Sequence, residues 1–232
     1  MSGEEGRADG PAGAFFGRRK GHKLRLGQAE LFSSLLPRLR IDLATLADPA
    51  GIFGRAVDEV RMEIGFGGGE HLLARARAHP GTGFIGCEPF VNGMAKLLAA
   101  IEAEQLDNIR VWDGDASALL DVLPAGSLST VYLLYPDPWP KRRHHKRRFV
   151  SDERLADIAR ALRPGGMFLF ASDIDHYVGW TLARVMRCPD LVWTAERPDD
   201  WRKPFDGWPG TRYERKALRE GRTASYITVR RG

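Results

Sequence analysis

Residues 63–70 read "EIGFGGGE", and the fold turns on them. They close "VRMEIG" (60–65), an apolar run that reads as a buried strand stopped by glycine. They open "EHLLARARAH" (70–79), which reads as a helix ended by Pro80 and Gly81. Gly65, Gly67 and Gly69 let the backbone pass close to a ligand with no Cβ in the way. A strand, a glycine-rich turn and a helix in that order begin an α/β sheet with a ligand crevice at the strand ends.

Outward from this stretch the same rhythm repeats. "GFIGCE" (83–88), "NIRVWD" (108–113), "STVYLLY" (129–135) and "MFLFAS" (167–172) read as further strands, and "LVWTAE" (191–196) and "ASYITVRR" (224–231) as the strands that close the sheet. Val91, Met94, Leu97, Leu98 and Ile101 mark one apolar helix face. Ser151 is placed to cap a second helix carrying Leu155, Ile158 and Leu162 and closed by "RPGG", and "DHYVGWTLARVM" is a third. The expected fold is α/β: a doubly wound, mostly parallel seven-stranded sheet with helices on both faces.

The acids at the strand ends indicate the ligand. The dinucleotide fingerprint needs glycine at position 70, where this chain has Glu70, and a glutamate at that helix N-terminus would face a pyrophosphate. The spacing G-x-G-x-G suits S-adenosylmethionine, which carries no phosphate and is cationic at sulfur. Glu88 ends strand two, where an acid can accept from both ribose hydroxyls; Glu63 precedes the first glycine and Asp115 follows strand three. Solvated loop acids beside a structural glycine turn are the plainer alternative.

Strand four leads into "YPDPWPKRRHHKRR" (135–148). Pro136, Pro138 and Pro140 restrict φ at alternate positions, so Asp137 and Trp139 are expected to stand out of the sheet. A carboxylate beside an aromatic face suits a planar, hydrogen-bonding nitrogen ring. Every residue from 141 to 148 is Lys, Arg or His, and "GRRKGHKLR" (17–25) and "RYERKALREGR" (212–222) add further cations to a net charge of +5. Clustering of this kind fits a polyanion, nucleic acid before membrane, since no long apolar or amphipathic anchor accompanies it. Residues 1–16 are rich in Gly, Ala and acids and read as mobile, so the expected organisation is a flexible basic arm over 1–26 and one domain over 27–232. Cys87 and Cys188 form no ligand or disulfide framework, and no run approaches the roughly 18 apolar residues of a membrane span. The expectation is a soluble, cytoplasmic protein with no metal.

"EIGFGGGE", "CEP", "DGDA", "YPDPWPKRRHHKRR", "ASD" and "TRYERK" occur in the order seen in the bacterial tRNA (guanine-N7-)-methyltransferases, and the sequence resembles that family over about residues 57–230. The resemblance implies a Rossmann-like methyltransferase fold, S-adenosyl-L-methionine as cofactor and tRNA as partner. It makes Glu63, Glu88, Asp115 and Asp137 cofactor contacts, with Asp137 also the catalytic candidate. Lys141, Asp173, Thr211, Arg212, Tyr213 and Glu214 match the family's substrate-binding positions, and Arg143, His144, His145, Lys146, Arg147 and Arg148 its RNA-contacting run. Family members methylate N7 of a guanine in the tRNA variable loop, conventionally position 46. Two departures stand out: Pro140 replaces the family's usual His, and "TRYE" replaces "TKFE", where Arg is no neutral substitute for Lys.

Read from the residues alone, Asp173 either faces the substrate or caps the helix that begins "DHYVGW". Rival functions are a methyltransferase acting on an exocyclic amine of a base, whose D-P-P-Y motif would occupy the same lip, and a non-catalytic RNA-binding protein of the same fold. A nicotinamide oxidoreductase is disfavoured by Glu70. No protein partner is required, and the chain is read as a monomer or homodimer.

Overall fold

The computed structural model describes Gly17 and residues 19–232; the reading of residues 1–16 as mobile lies outside the described residues. Helices α1 (Leu26–Ser34) and α2 (Leu36–Leu39) precede strand β1 (Glu59–Ile64). Then come α3 (Glu70–Ala78), β2 (Thr82–Cys87), α4 (Val91–Glu104), β3 (Ile109–Trp112), α5 (Ala116–Val122) and β4 (Leu128–Leu134). A 3-10 turn over Arg142–Arg147 leads to α6 (Asp152–Ala161), β5 (Leu162–Ser172) and α7 (Asp175–Val185). The chain closes with β6 (Leu191–Trp193), α8 (Asp199–Arg202), α9 (Arg212–Arg219) and β7 (Ser225–Arg231).

The strands form one seven-stranded sheet in the order β3-β2-β1-β4-β5-β7-β6. β1 pairs in parallel with both β2 and β4, and only β7 runs antiparallel to its neighbours. Strand order therefore reverses between β1 and β4, which opens a crevice beyond their C-terminal ends.

Alternation along the buried strands separates the two faces. Phe84 packs with Leu97, Leu98 and Ile101 of α4, while Ile85 joins Met62, Val131, Leu155 and Ile158 on the opposite face. A third cluster, Tyr132, Leu134, Leu169 and Tyr226, is covered by Phe205 and Trp208. Ser151 caps α6 as expected, its Oγ accepting from Arg154 N–H at 3.1 Å.

Two boundaries differ from the sequence reading. "RPGG" lies inside β5, because Leu162 already pairs with Leu128 and the register slips before Thr130 meets Met167. β6 is three residues long rather than six. Ahead of α1, Val91 N–H donates to Arg19 O at 2.9 Å, and Asn92 bridges Gly21 N–H and His22 O. Residues 19–22 are thus fastened to the start of α4. No helix among the described residues is long and apolar enough to cross a membrane.

Candidate functional site

A cavity of about 680 Å³ lies beyond the C-terminal ends of β1, β2 and β4, at the point where strand order reverses. That volume is in the range of small-molecule sites. Its floor is the glycine loop, where Gly67 takes φ +58°, a conformation that disfavours any Cβ. The N terminus of α4 sits hard against this loop, since a Cβ on Gly93 would lie 2.1 Å from the Gly67 carbonyl oxygen.

Glu88 is 8% exposed and lines the cavity from the end of β2. Its Oε2 accepts from Gly67 N–H at 2.7 Å and its Oε1 from Phe90 N–H at 2.9 Å. Burial raises its pKa, the two backbone donors partly offset this, and the nearby Asp137 charge adds to the rise. Each oxygen keeps a second acceptor site for a ligand hydroxyl. Asp115 also lines the cavity; its Oδ1 caps α5 by accepting from Ser117 N–H at 2.9 Å. Carboxylates beyond the ends of β2, β3 and β4, in a wall that also holds Phe90, Gly65 and Gly67, fit a ligand that is cationic and hydroxyl-rich.

Two members of the expected cofactor set stand back from the wall. Glu63 is buried, its Oε2 2.7 Å from His71 Nδ1 in the first turn of α3. Gly69 (φ +82°) is a packing glycine, because a Cβ there would meet Leu97 Cδ1 at 2.8 Å.

Beyond β4 the backbone takes an uncommon path. Tyr135 (φ 51°) and Trp139 (φ 41°), each followed by proline, are both left-handed. An aromatic in that region costs on the order of 1–3 kcal/mol and persists only where the surroundings enforce it. The prolines therefore restrict this turn, but the reversal itself is made by the aromatics beside them. It puts Asp137 in the cavity wall with Trp139 next to it. Although Asp137 reaches the open mouth, desolvation by the walls raises its pKa. The Arg147 guanidinium lies 5.1 Å over the Trp139 ring, and His144 meets that ring edge-on.

The basic run divides by position. Lys141 and Arg143 are exposed and outside the cavity wall, whereas Lys146 and Arg147 form part of it. Arg148 lines the cavity as well, but as a buried group. It is 4% exposed, its Nε donates to Pro138 O at 2.8 Å, and its guanidinium lies against Tyr177 and Trp180 of α7. His145 packs on His176 and Trp180. Desolvation lowers the pKa of both His144 and His145, and the surrounding cations lower it further.

Arg212 and Tyr213 line the cavity beside the glycine loop, with Tyr213 Cε2 and Arg212 Nη2 near the Cβ position of Gly67. Thr211 Oγ1 caps α9 by accepting from Glu214 N–H at 3.1 Å. Glu214 turns inward, accepting from Trp208 Nε1 at 2.8 Å and from the Tyr226 hydroxyl. Asp173 neither lines the cavity nor caps α7. It accepts from Arg222 Nε at 2.6 Å, and Ile174 N–H goes to Ser172 Oγ instead.

Wall residues absent from the sequence-derived set include Phe90, Ser117 and Tyr135. Phe90 had a signal, being an aromatic two places after the acid that ends β2. Ser117 had none, since it reaches the wall through a helix that composition does not mark.

A family model described as "Putative methyltransferase" matches residues 58–226. A tRNA (guanine-N(7)-)-methyltransferase of Nitrobacter winogradskyi is 58% identical over 231 residues, covering 99% of this chain and 90% of that protein. Those of Rhodopseudomonas palustris (strain BisB18) and Azorhizobium caulinodans are 60% and 55% identical, over 95% and 94% of this chain and 89% and 95% of their own. Among solved structures, the 16S rRNA methyltransferase KamB aligns with a TM-score of 0.56 at 18% identity, over 76% of this chain and 89% of that one. The aminoglycoside resistance methyltransferase NpmB1 gives 0.53 at 17%, over 78% and 90%. These two show the fold.

Proposed function

The chain belongs to the tRNA (guanine-N(7)-)-methyltransferase family, and we propose that it methylates N7 of a variable-loop guanine, conventionally position 46, with Asp137 as the catalytic residue. S-adenosylmethionine is the methyl donor, and its sulfonium supplies an electrophilic methyl to the N7 lone pair. No proton has to leave N7 before attack, so the chain's task is alignment, a favourable field and exclusion of water.

In this reading Glu88 holds the ribose hydroxyls, Phe90 flanks the adenine, and Asp115 faces the adenine amine. Gly65 and Gly67 keep the floor open, while Glu63 and Gly69 support it from behind. Asp137 stands at the lip nearest the reacting atoms. There its carboxylate orients the guanine and offsets the positive charge that moves onto the base. Trp139 gives the purine a flat wall. Arg212 and Tyr213 bound the opening above the glycine loop, with Thr211 and Glu214 fixing the helix that carries them. Lys141, Arg143, Lys146 and Arg147 hold the phosphates around the guanine, His144 keeps Trp139 in place, and Asp173 acts through Arg222. N7 in regular A-form RNA lies in a deep, narrow groove, so the target must sit in an irregular loop for this lip to reach it. Every group used comes from one chain, so the site works in a monomer or within a homodimer, without another protein. The compartment we assign is the cytoplasm.

The observation that carries the reading is Asp137, held by a left-handed aromatic on either side in a cavity walled by acids and bordered by cations. Labelled methyl incorporation into tRNA, followed by borohydride–aniline scission, tests it: cleavage at a variable-loop guanine is expected. Incorporation without scission would favour an exocyclic amine, and no incorporation would favour a non-catalytic RNA-binding protein. Asp137→Ala should lower kcat by about 10²–10³-fold with little change in cofactor Kd. Equal losses in both would remove Asp137 from the catalytic role.

A further inference from the structure

Helix α9 begins at the cavity and leads away from it. Its first two residues, Arg212 and Tyr213, are wall, and Arg215, Lys216 and Arg219 follow at positions three, four and seven beyond Arg212. That spacing puts all of these cations along one side of the helix. Ala217 is the buried residue of α9, and Arg215, Lys216 and Arg219 are exposed. Glu214, the acid best placed to neutralise the first turn, instead points inward to Trp208 and Tyr226. Lys216 is 4.0 Å from Glu220, while Arg219 turns back to the Arg215 carbonyl; among the described residues neither arginine has a carboxylate partner.

The helix macrodipole favours cations in the last turn and accounts for Lys216 and Arg219 in part. It does not account for Arg215, or for a stripe whose first member is in the cavity wall. From Arg212 to Arg219 the stripe covers about 10 Å, enough to meet more than one phosphate. It also belongs to a different wall from the 141–148 run. α9 abuts Gly67 of the glycine loop, whereas the other run is anchored on α7 through Arg148 and His145.

We propose that Arg215 and Arg219, assisted by Lys216, form a second phosphate clamp for tRNA, gripping the backbone that leads away from the inserted guanosine. The inference rests on the tRNA reading above and adds to it a surface that neither the cavity nor the 141–148 run supplies. Two clamps on separate walls hold the strand on both sides of the flipped nucleotide, which fixes its depth in the cavity.

The test compares the full-length chain with Arg215→Ala/Arg219→Ala and Arg215→Lys/Arg219→Lys. The readouts are tRNA Kd by filter binding across a salt series, cofactor Kd by calorimetry, and methyl incorporation. The alanine pair should weaken tRNA binding about tenfold at low salt and reduce the slope of log K against log salt by about two, with cofactor Kd and melting temperature unchanged. The lysine pair should restore the slope. An alanine pair that melts like the parent and keeps its tRNA Kd and slope overturns the clamp, as does a folded lysine pair that fails to restore the slope. If the parent neither binds nor methylates tRNA, the tRNA reading itself fails. A parent that methylates tRNA beside an indifferent alanine pair removes only the clamp.

Discussion

Arg148 Nε donates to the carbonyl oxygen of Pro138 at 2.8 Å, so the last cation of the basic run holds the turn that carries Asp137. The same guanidinium rests 4.8 Å from the centre of the Tyr177 ring and 4.9 Å from that of Trp180. One buried group thus couples the turn after β4 to α7. Lysine cannot reproduce a planar donor sandwiched against two rings. Arg148→Lys is expected to cost about 2 kcal/mol, from one charge-assisted hydrogen bond and its ring contacts. That corresponds to a fall of roughly 4–8 °C in Tm, measured by calorimetry. kcat should fall with it, and an unchanged Tm would show that the guanidinium does not hold this turn.

Asp137, the proposed catalytic residue, carries its charge in a partly desolvated setting. Desolvation raises its folded pKa above the unfolded value, so the folded state binds the proton more tightly than the unfolded chain. Stability is therefore lost as pH rises from the ordinary aspartate range through the raised value, by an amount that solvent screening keeps small because the side chain reaches the open mouth. Asp137→Asn should melt higher than the parent at pH 7, and the difference should vanish below about pH 4. Activity should move the opposite way: the parent loses kcat as acid protonates Asp137, and the Asn variant is poorly active throughout. An Asn variant that melts lower at pH 7 would show that the carboxylate is stabilised by its surroundings.

The strands were legible because each is a run of buried apolar residues bounded by Gly, Pro or acid, and the reversal at β1 and β4 follows from their order. α9 was not legible as a helix: Ala217 is its buried residue, so no apolar stripe marks it. The "RPGG" stretch reads as a helix stop and is one, but its place within β5 depends on Leu128, far away in sequence. At the site, Glu88, Asp115 and Asp137 were legible because strand ends point into the crevice. The inward turn of Glu63 depends on His71, and the burial of Arg148 on Tyr177 and Trp180. Partners from other elements decide such orientations, and no local pattern encodes them.

Gly93→Ala tests the contact between α4 and the glycine loop. The added methyl would stand 2.1 Å from the Gly67 carbonyl oxygen and 3.3 Å from Glu88 Cγ. Backbone cannot yield as a flexible side chain does, so α4 or the loop must shift. Overpacking of this kind costs about 1–3 kcal/mol. Because Gly67 N–H also donates to Glu88, the shift should weaken the cofactor site, and a rise in cofactor Kd of about tenfold or more is expected by calorimetry. Unchanged cofactor Kd in a folded Gly93→Ala protein would mean that the loop tolerates displacement.

His71 is the partner that keeps Glu63 a satisfied buried acid. The two side chains are each about 4% exposed and 2.7 Å apart, with the His71 ring packed edge-on to Tyr132 and tilted against Trp208. Removing the imidazole leaves the carboxylate buried without its donor, a loss of about 1–3 kcal/mol. His71→Ala is therefore expected to lower Tm, and to raise cofactor KM more than it lowers kcat, because in the proposed arrangement Glu63 supports the loop without touching the reacting atoms. His71→Asn, which can still donate at that position, should recover part of both. A purely packing role for the ring predicts a different outcome, with Asn no better than Ala in Tm and cofactor KM unchanged in either variant. Steady-state kinetics on the two variants beside their melting curves separates the two accounts.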